Sequence, residues 1–188
     1  MAVIRKVKKD DLKDIEYICG QTAGALCRRE PIIANRVAKM YSTYYVSECS
    51  DSSFCLSDDN GKAVGYILCE PDFKRYRKLY RKSYVPKIFE LNKKDGFLSW
   101  LFPIPYSFFG LKYPAHLHID ILPEYQSKGY GSEMVNTLLN YLRENNVKGV
   151  MLATDKDNTG AIRFYKRLGF KILIKSDKIS GVLMGKEL

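Results

Sequence analysis

The sequence predicts a single mixed α/β domain built on a twisted central sheet. Helical and strand periodicities alternate along the chain, with no internal repeat and no low-complexity linker. Two apolar runs at residues 53–56 and 63–69 flank Asp58-Asp59-Asn60-Gly61, a turn in which Asn-Gly supplies positive φ cheaply. From residue 117 onward, strand and helix patterns succeed one another in regular order. At 188 residues the chain is one domain, 1–188, long enough to bury a core.

The elements follow in order. Residues 3–7 read as a short strand, and Asp10 or Asp11 can cap a helix that carries Leu12, Ile15 and Ile18 on one face. A second helix is expected over residues 33–44, and the hairpin follows. Residues 71–115 form an insert with Pro71, Pro86, Pro103, Pro105 and Pro114 and many aromatics. Phe73, Tyr76, Tyr80 and Tyr84 recur at helical spacing among Lys74, Arg75, Arg77, Lys78, Arg81 and Lys82. That pattern predicts a basic amphipathic helix, followed by an irregular aromatic segment over residues 100–113. Strands are expected at 117–122, 148–153, 170–174 and 181–184. Between them lie a helix over 131–144, with Met134, Leu138 and Leu142 inward, and one over 159–168 closed by Gly169.

Composition narrows the function classes. Hydrophobic residues make up 46% and charged residues 28%, as in ordinary globular proteins. No stretch reaches the roughly 18 uncharged apolar residues of a membrane span. Charge follows Met1-Ala2-Val3-Ile4 at once, without a signal-peptide core, so a cytoplasmic protein is expected. The five cysteines are odd in number and form no CxxC, which argues against a disulfide framework or structural zinc. The net charge of +10 suits an anionic ligand, nucleic acid or simple solubility.

The chemistry is concentrated in Ile121-Leu122-Pro123-Glu124-Tyr125-Gln126-Ser127-Lys128-Gly129-Tyr130-Gly131. A strand ends, a proline breaks it, and a glycine-containing turn opens a helix. Free N–H groups and the positive helix end make such a turn a phosphate cradle, with Lys128 beside it. The spacing is neither G-x-x-x-x-G-K-[ST] nor G-x-G-x-x-G. A second element follows the next strand, Asn158-Thr159-Gly160-Ala161-Ile162-Arg163-Phe164-Tyr165-Lys166-Arg167-Leu168-Gly169-Phe170. Asn158 can cap its helix, Ala161 is small where a ligand passes, and Arg163, Lys166 and Arg167 can meet phosphates. Phe164 and Leu168 can pack inward, leaving Tyr165 to face a cleft or join the core.

Q-x-x-G-x-G followed by N-x-x-A-x-x-F-Y-x-x-x-G-F closely resembles the GCN5-related N-acetyltransferase (GNAT) superfamily. The segment Ala115-His116-Leu117-His118-Ile119-Asp120-Ile121-Leu122-Pro123-Glu124-Tyr125-Gln126 and the aromatic insert look like the acetyltransferase-like domain attached to O-GlcNAc hydrolases and its free-standing bacterial relatives. The resemblance implies a GNAT fold of about six or seven strands with helices on both faces. It also implies a splay between the fourth and fifth strands, along which the pantetheine of acetyl-CoA pairs. Ile121 and Leu122 then touch pantetheine. The pyrophosphate sits on Gln126, Ser127, Lys128, Gly129, Tyr130, Gly131 and Ser132. Asn158, Ala161, Arg163, Phe164 and Tyr165 line the remainder of the co-substrate.

The implied reaction is direct attack of an amine on the thioester. A lysine-like amine, with pKa near ~10.4, must first lose a proton. Asp120 and His118 alternate with His116 on one strand face, so Asp120 is the first candidate base and His118 the next. The alternative is that His116 and His118 are a hydrogen-bonded pair on a half-buried strand. Tyr165 is the implied proton donor to the leaving thiolate. No metal site is expected, because no third histidine exists and the cysteines are distant. Trp100, Phe102, Tyr106, Phe108 and Phe109 can form a lid or pocket, or a local core. The partners implied are acetyl-CoA and an amine, with the chain acting as a monomer or homodimer. A degenerate member that binds without turnover is the second reading. Nucleic-acid binding through residues 74–82 is a weaker third, because a basic helix is more often a solvated face.

Overall fold

The computed structural model describes residues 2–175 and 181–188. Seven strands form one sheet: β1 (Val3–Lys6), β2 (Phe54–Ser57), β3 (Ala63–Glu70), β4 (Ala115–Ile121), β5 (Gly149–Asp155), β6 (Lys171–Lys175) and β7 (Gly181–Glu187). Their spatial order is β1-β2-β3-β4-β5-β7-β6. Every neighbouring pair is antiparallel except β4–β5, which is parallel. That pair holds only at Ala115↔Val150 and His116↔Met151, and beyond it the two strands diverge. This is the expected splay.

Strand alternation sends side chains to two cores. On one face α9 (Tyr130–Glu144) and α10 (Thr159–Arg167) cover a core containing Leu117, Ile121, Met134, Leu138, Leu152 and Tyr165. On the other lie α1 (Leu12–Thr22), α2 (Ala25–Arg29), α3 (Pro31–Tyr41) and α4 (Thr43–Glu48). The insert adds α5 (Phe73–Leu79), α6 (Val85–Leu91), α7 (Lys93–Leu101) and α8 (Ile104–Ser107) to that face. Their core is tyrosine-rich, with Tyr44, Tyr45, Tyr76, Tyr80 and Tyr106 buried in it.

Several boundaries differ from expectation for local reasons. The helix expected at 33–44 is broken at Ser42, whose hydroxyl donates to the Ala38 carbonyl at 2.8 Å, and Pro31 starts α3 earlier. The short α2 carries too few residues to show a period. Asp11 does not cap α1: its carboxylate takes two 2.8 Å bonds from the Arg5 guanidinium and one from the Lys8 amide. Burial opposes that charge, yet the Arg5 and Lys8 hydrogen bonds hold Asp11 below the ordinary carboxylate range. In the hairpin only Gly61 takes positive φ, at 82°, and a bulge sits between Leu56 and Ser57.

The insert is more helical than its prolines suggest. Asp72 caps α5 by accepting from the Lys74 and Arg75 amides. A π-helical turn, Tyr80–Tyr84, joins α5 to α6 and places Pro86 in the first turn of α6, where its missing N–H costs little. Trp100 belongs to α7, which Asn92 caps, and Ile104–Ser107 form α8, so the aromatic segment expected to be irregular is so only outside these two helices. Among the described residues, no helix is long and apolar enough to cross a membrane.

Candidate active site

The loop after β4 is held open by its own chemistry. Pro123–Tyr125 forms a 3-10 turn, and the Gln126 side-chain amide donates back to the Ile121 carbonyl at 2.7 Å. Ser127 (φ 60°) and Gly129 (φ 88°) both take left-handed conformations, which turn the backbone before α9 starts. The amides of Gln126 and Ser132 are bonded, to Pro123 and Gly129 carbonyls respectively. Among the described residues, the five amides of residues 127–131 donate to no protein acceptor. They sit at the positive end of a 15-residue helix, so their common preference is for an anion. Lys128 is exposed beside them, its Nζ 5.5 Å from the Tyr125 ring centre.

The α10 side meets this loop. A Cβ built on Gly131 would stand 3.5 Å from Phe164 and 3.8 Å from Ile121, so these three predicted residues are neighbours. Asn158 caps α10 by accepting from the Ala161 amide at 3.0 Å, which occupies one polar group of each. Arg163 is exposed. Two groups implied for pantetheine already have partners: the Ile121 carbonyl takes Gln126, and the Leu122 amide donates to Val64 at 3.0 Å. The open edges are those that β4 and β5 turn toward each other past His116 and Met151.

Tyr165 is buried against Phe164 and Phe170 on the α9–α10 face. Burial, then the charge of Asp120, pushes its phenol well up from its ordinary value. Asp120 belongs to the opposite face, so the two groups sense each other across the gap between the strands.

On that opposite face the expected alternation of His116, His118 and Asp120 holds, with different environments along it. His116 is buried, its Nε2 is 2.5 Å from the Tyr45 hydroxyl, and its Nδ1 has no hydrogen-bond partner among the described residues. Burial, then the neighbouring His118, pushes its pKa down to about 3. The imidazole is therefore neutral. His118 is half-buried and stacks on Tyr41 at 5.8 Å. The Tyr66 hydroxyl donates to Asp120 Oδ2 at 2.6 Å and lies 3.1 Å from His118 Nδ1. Tyr66 has one proton and gives it to the carboxylate. Its oxygen then accepts from His118 Nδ1–H, which leaves the Nε2 lone pair of a neutral His118 free. That Nε2 stands 3.7 Å from Asp120 Oδ2, beyond hydrogen-bond distance.

A model of the acetyltransferase (GNAT) family matches residues 26–170. The chain belongs to that family. Among solved structures, this GNAT member is similar to one named SsHAT, at 30% identity and TM-score 0.85, covering 99% of this chain and 98% of that one. The PaiA N-acetyltransferase of Thermoplasma acidophilum, crystallised with coenzyme A, shares the fold at TM-score 0.65 and 14% identity, covering 100% and 99% of the two chains. An uncharacterized N-acetyltransferase of Methanocaldococcus jannaschii is 24% identical over 169 residues, which are 89% of this chain and 60% of that protein. A mycothiol acetyltransferase of Pseudarthrobacter chlorophenolicus is 40% identical over 52 residues, which are 28% of this chain and 16% of that one. The chain thus spans 60% or less of these two curated relatives.

The family member carries site residues that its sequence does not announce. Tyr66 is the cross-strand partner of Asp120 in the β3–β4 register, and Glu70 is that of His116. Glu70 is buried and accepts from Tyr44, Arg75 and the Asp72 amide, anchoring the insert to the sheet. Cys19 is buried on the same face, and burial, then Asp120, pushes its thiol up to about 12, so it stays protonated. Only the strand register and the helix docking bring these groups to the site. Of the insert aromatics, Phe102 and Tyr106 line cavities beside the splay, whereas Phe108 is 79% exposed.

Proposed function

We propose that this chain is an acetyl-CoA-dependent N-acetyltransferase that moves an acetyl group to an amine by direct attack on the thioester. The observation that carries this reading is the row of unpartnered amides at residues 127–131, set at the mouth of two strands that stop pairing after His116 and Met151. An anionic diphosphate fits such a row, and an extended amide-bearing arm fits the open strand edges. Residues 127–131 with Lys128 would hold the pyrophosphate, and Phe164 and Gly131 would shape the wall beside it. When bound, acetyl-CoA supplies an activated acetyl thioester.

The chain's own groups then divide the proton work. His118 Nε2 accepts a proton from the incoming amine, and the Asp120 carboxylate steadies the resulting charge. Tyr66 fixes both groups by its two contacts. Tyr165 keeps the proton on Oη at neutral pH, because its pKa is raised, and is a donor for the sulfur end. Holding both reactants in one cleft supplies much of the remaining rate. The segment 115–126 and the aromatic insert support a finer placement, beside the acetyltransferase-like domains of O-GlcNAc hydrolases and their free-standing bacterial relatives.

Isothermal titration with acetyl-CoA, followed by thiol release in the presence of amines, tests the proposal. Saturable binding and amine-dependent thiol release are expected. Binding without release supports the degenerate reading, and no binding removes the enzyme altogether.

A further inference from the structure

Two cavities lie on the insert side of the splay. The larger encloses about 470 Å³ and the smaller about 270 Å³. They share Met40, Tyr41, Phe102, Tyr106, Ala153 and Gly181 as walls, so they are two lobes of one cleft. Ala153 stands on β5 past Met151, where β4 has already diverged, which puts the junction of the lobes at the splay itself.

The lobes differ in chemistry. The smaller is walled by His116, His118 and Asp155, and of these His118 and Asp155 can meet an amino group, since His116 is buried with its Nε2 against the Tyr45 hydroxyl. Among the described residues, the larger has no Lys, Arg, Asp or Glu on its walls. Leu98, Leu101, Pro105, Ile174 and Leu183 line it, and its polar side chains are tyrosine hydroxyls and Ser99. One of those hydroxyls, Tyr80, already donates to the Met40 carbonyl at 2.9 Å. The volume suits a small organic body, and the lining is the apolar kind that takes one. A second cation placed there would be desolvated without a counter-charge.

We propose that the acceptor is a small primary monoamine on an uncharged aromatic or branched aliphatic body. Its amino group lies in the His116–His118–Asp155 lobe and its body in the Met40–Leu98–Phe102–Leu183 lobe. The transfer rests on the acetyltransferase reading; the binding does not. The transfer balances. One N–C bond forms to the acetyl carbon and the thioester C–S bond breaks. The proton lost by the amine offsets the one gained by the sulfur, giving an acetamide and free thiol.

The test is calorimetric binding of 2-phenylethylamine, isoamylamine, 1,5-diaminopentane, lysinamide and a short peptide with a free N-terminus. Each is measured with and without coenzyme A, and thiol release from acetyl-CoA is followed in parallel. Phenylethylamine and isoamylamine are expected to bind at least about 10-fold more tightly than the diamine and lysinamide, a factor worth ~1.4 kcal/mol. Leu98→Glu, which puts a carboxylate on a wall of the larger lobe alone, is expected to invert the ranking of phenylethylamine and diaminopentane. A folding defect alone would weaken both. Equal or tighter binding of lysinamide, the diamine or the peptide by the unmodified protein overturns the inference. Absence of acetyl-CoA binding sinks the acetyltransferase reading instead, while the amine ranking still decides this one.

Discussion

The two sides of the splay are built from different materials. The side under α9 and α10 offers backbone amides and the ring of Phe164, supplied by two short stretches of chain. The side under α1–α8 offers side chains from distant segments: Tyr41 from α3, Tyr66 from β3, Phe102 after α7, and His118 and Asp120 from β4. A backbone cradle recognises what every substrate of one co-substrate class shares. A side-chain cleft can be rebuilt residue by residue, and it is where the proposed acceptor choice would be set. Variants should therefore separate the two: those on one side changing binding of acetyl-CoA, those on the other changing turnover and acceptor choice.

The largest separation is expected from His118→Ala. Removing the free Nε2 should lower turnover by about 10²–10⁴-fold, the usual range for a lost proton acceptor. Acetyl-CoA affinity, measured by titration, should stay within about 2-fold, since residue 118 touches none of the open amides. Equal loss in both measurements would break the comparison.

Gly129→Val attacks the other side. A β-branched residue cannot hold φ 88° without strain, so the amide row must shift. Acetyl-CoA binding should weaken by about 100-fold, as expected when more than one charge-assisted bond is lost. The stacking of His118 on Tyr41 should remain, visible as unchanged acceptor ranking at saturating co-substrate.

Much of this was legible in the sequence, and unevenly. The turn from Gln126 to Gly131 and the capped start of α10 could be read because their conformations depend on local backbone geometry, which neighbouring residues specify. The strands, the hairpin and both α9 and α10 were legible for the same reason. Tyr66 was not, because its role comes from standing opposite Asp120 across two strands, and register is not a local property. The break at Ser42 and the π turn at Tyr80–Tyr84 depend on a side-chain hydroxyl and on a proline absorbed by helix geometry. Asp10 and Asp11 looked like caps because the motif is local; Arg5 on a neighbouring strand claims Asp11 instead. Of the larger lobe of the proposed acceptor cleft only Phe102 and Tyr106 were legible, because its other walls come from residues 40 to 183 and meet only in three dimensions.

Two smaller effects sharpen the contrast. Tyr165→Phe should reduce turnover by about 10-fold, a modest loss because a thiol of pKa near ~8.5 leaves readily without a donor. Its steady-state rate is the readout, with the titration of acetyl-CoA as control. His116 should appear in stability rather than in rate. Its folded pKa of about 3 lies below that of an unfolded histidine, so the unfolded chain takes up the proton first. The stability it contributes is complete above pH ~6.5 and falls as the pH drops toward the folded value, approaching ~1.4 kcal/mol per pH unit. Denaturant melts of the parent and of His116→Gln between neutral and acid pH should show a shallower slope in the variant.

The central claim is that backbone amides at residues 127–131 grip the diphosphate of acetyl-CoA. Amide-resolved nuclear magnetic resonance of the ¹⁵N-labelled protein during titration with acetyl-CoA tests it most directly. The amide protons of Ser127, Lys128, Gly129, Tyr130 and Gly131 should move downfield together and saturate with the calorimetric affinity, as they gain anionic acceptors. If acetyl-CoA binds while those five resonances stay in place, the co-substrate lies elsewhere and the account is wrong.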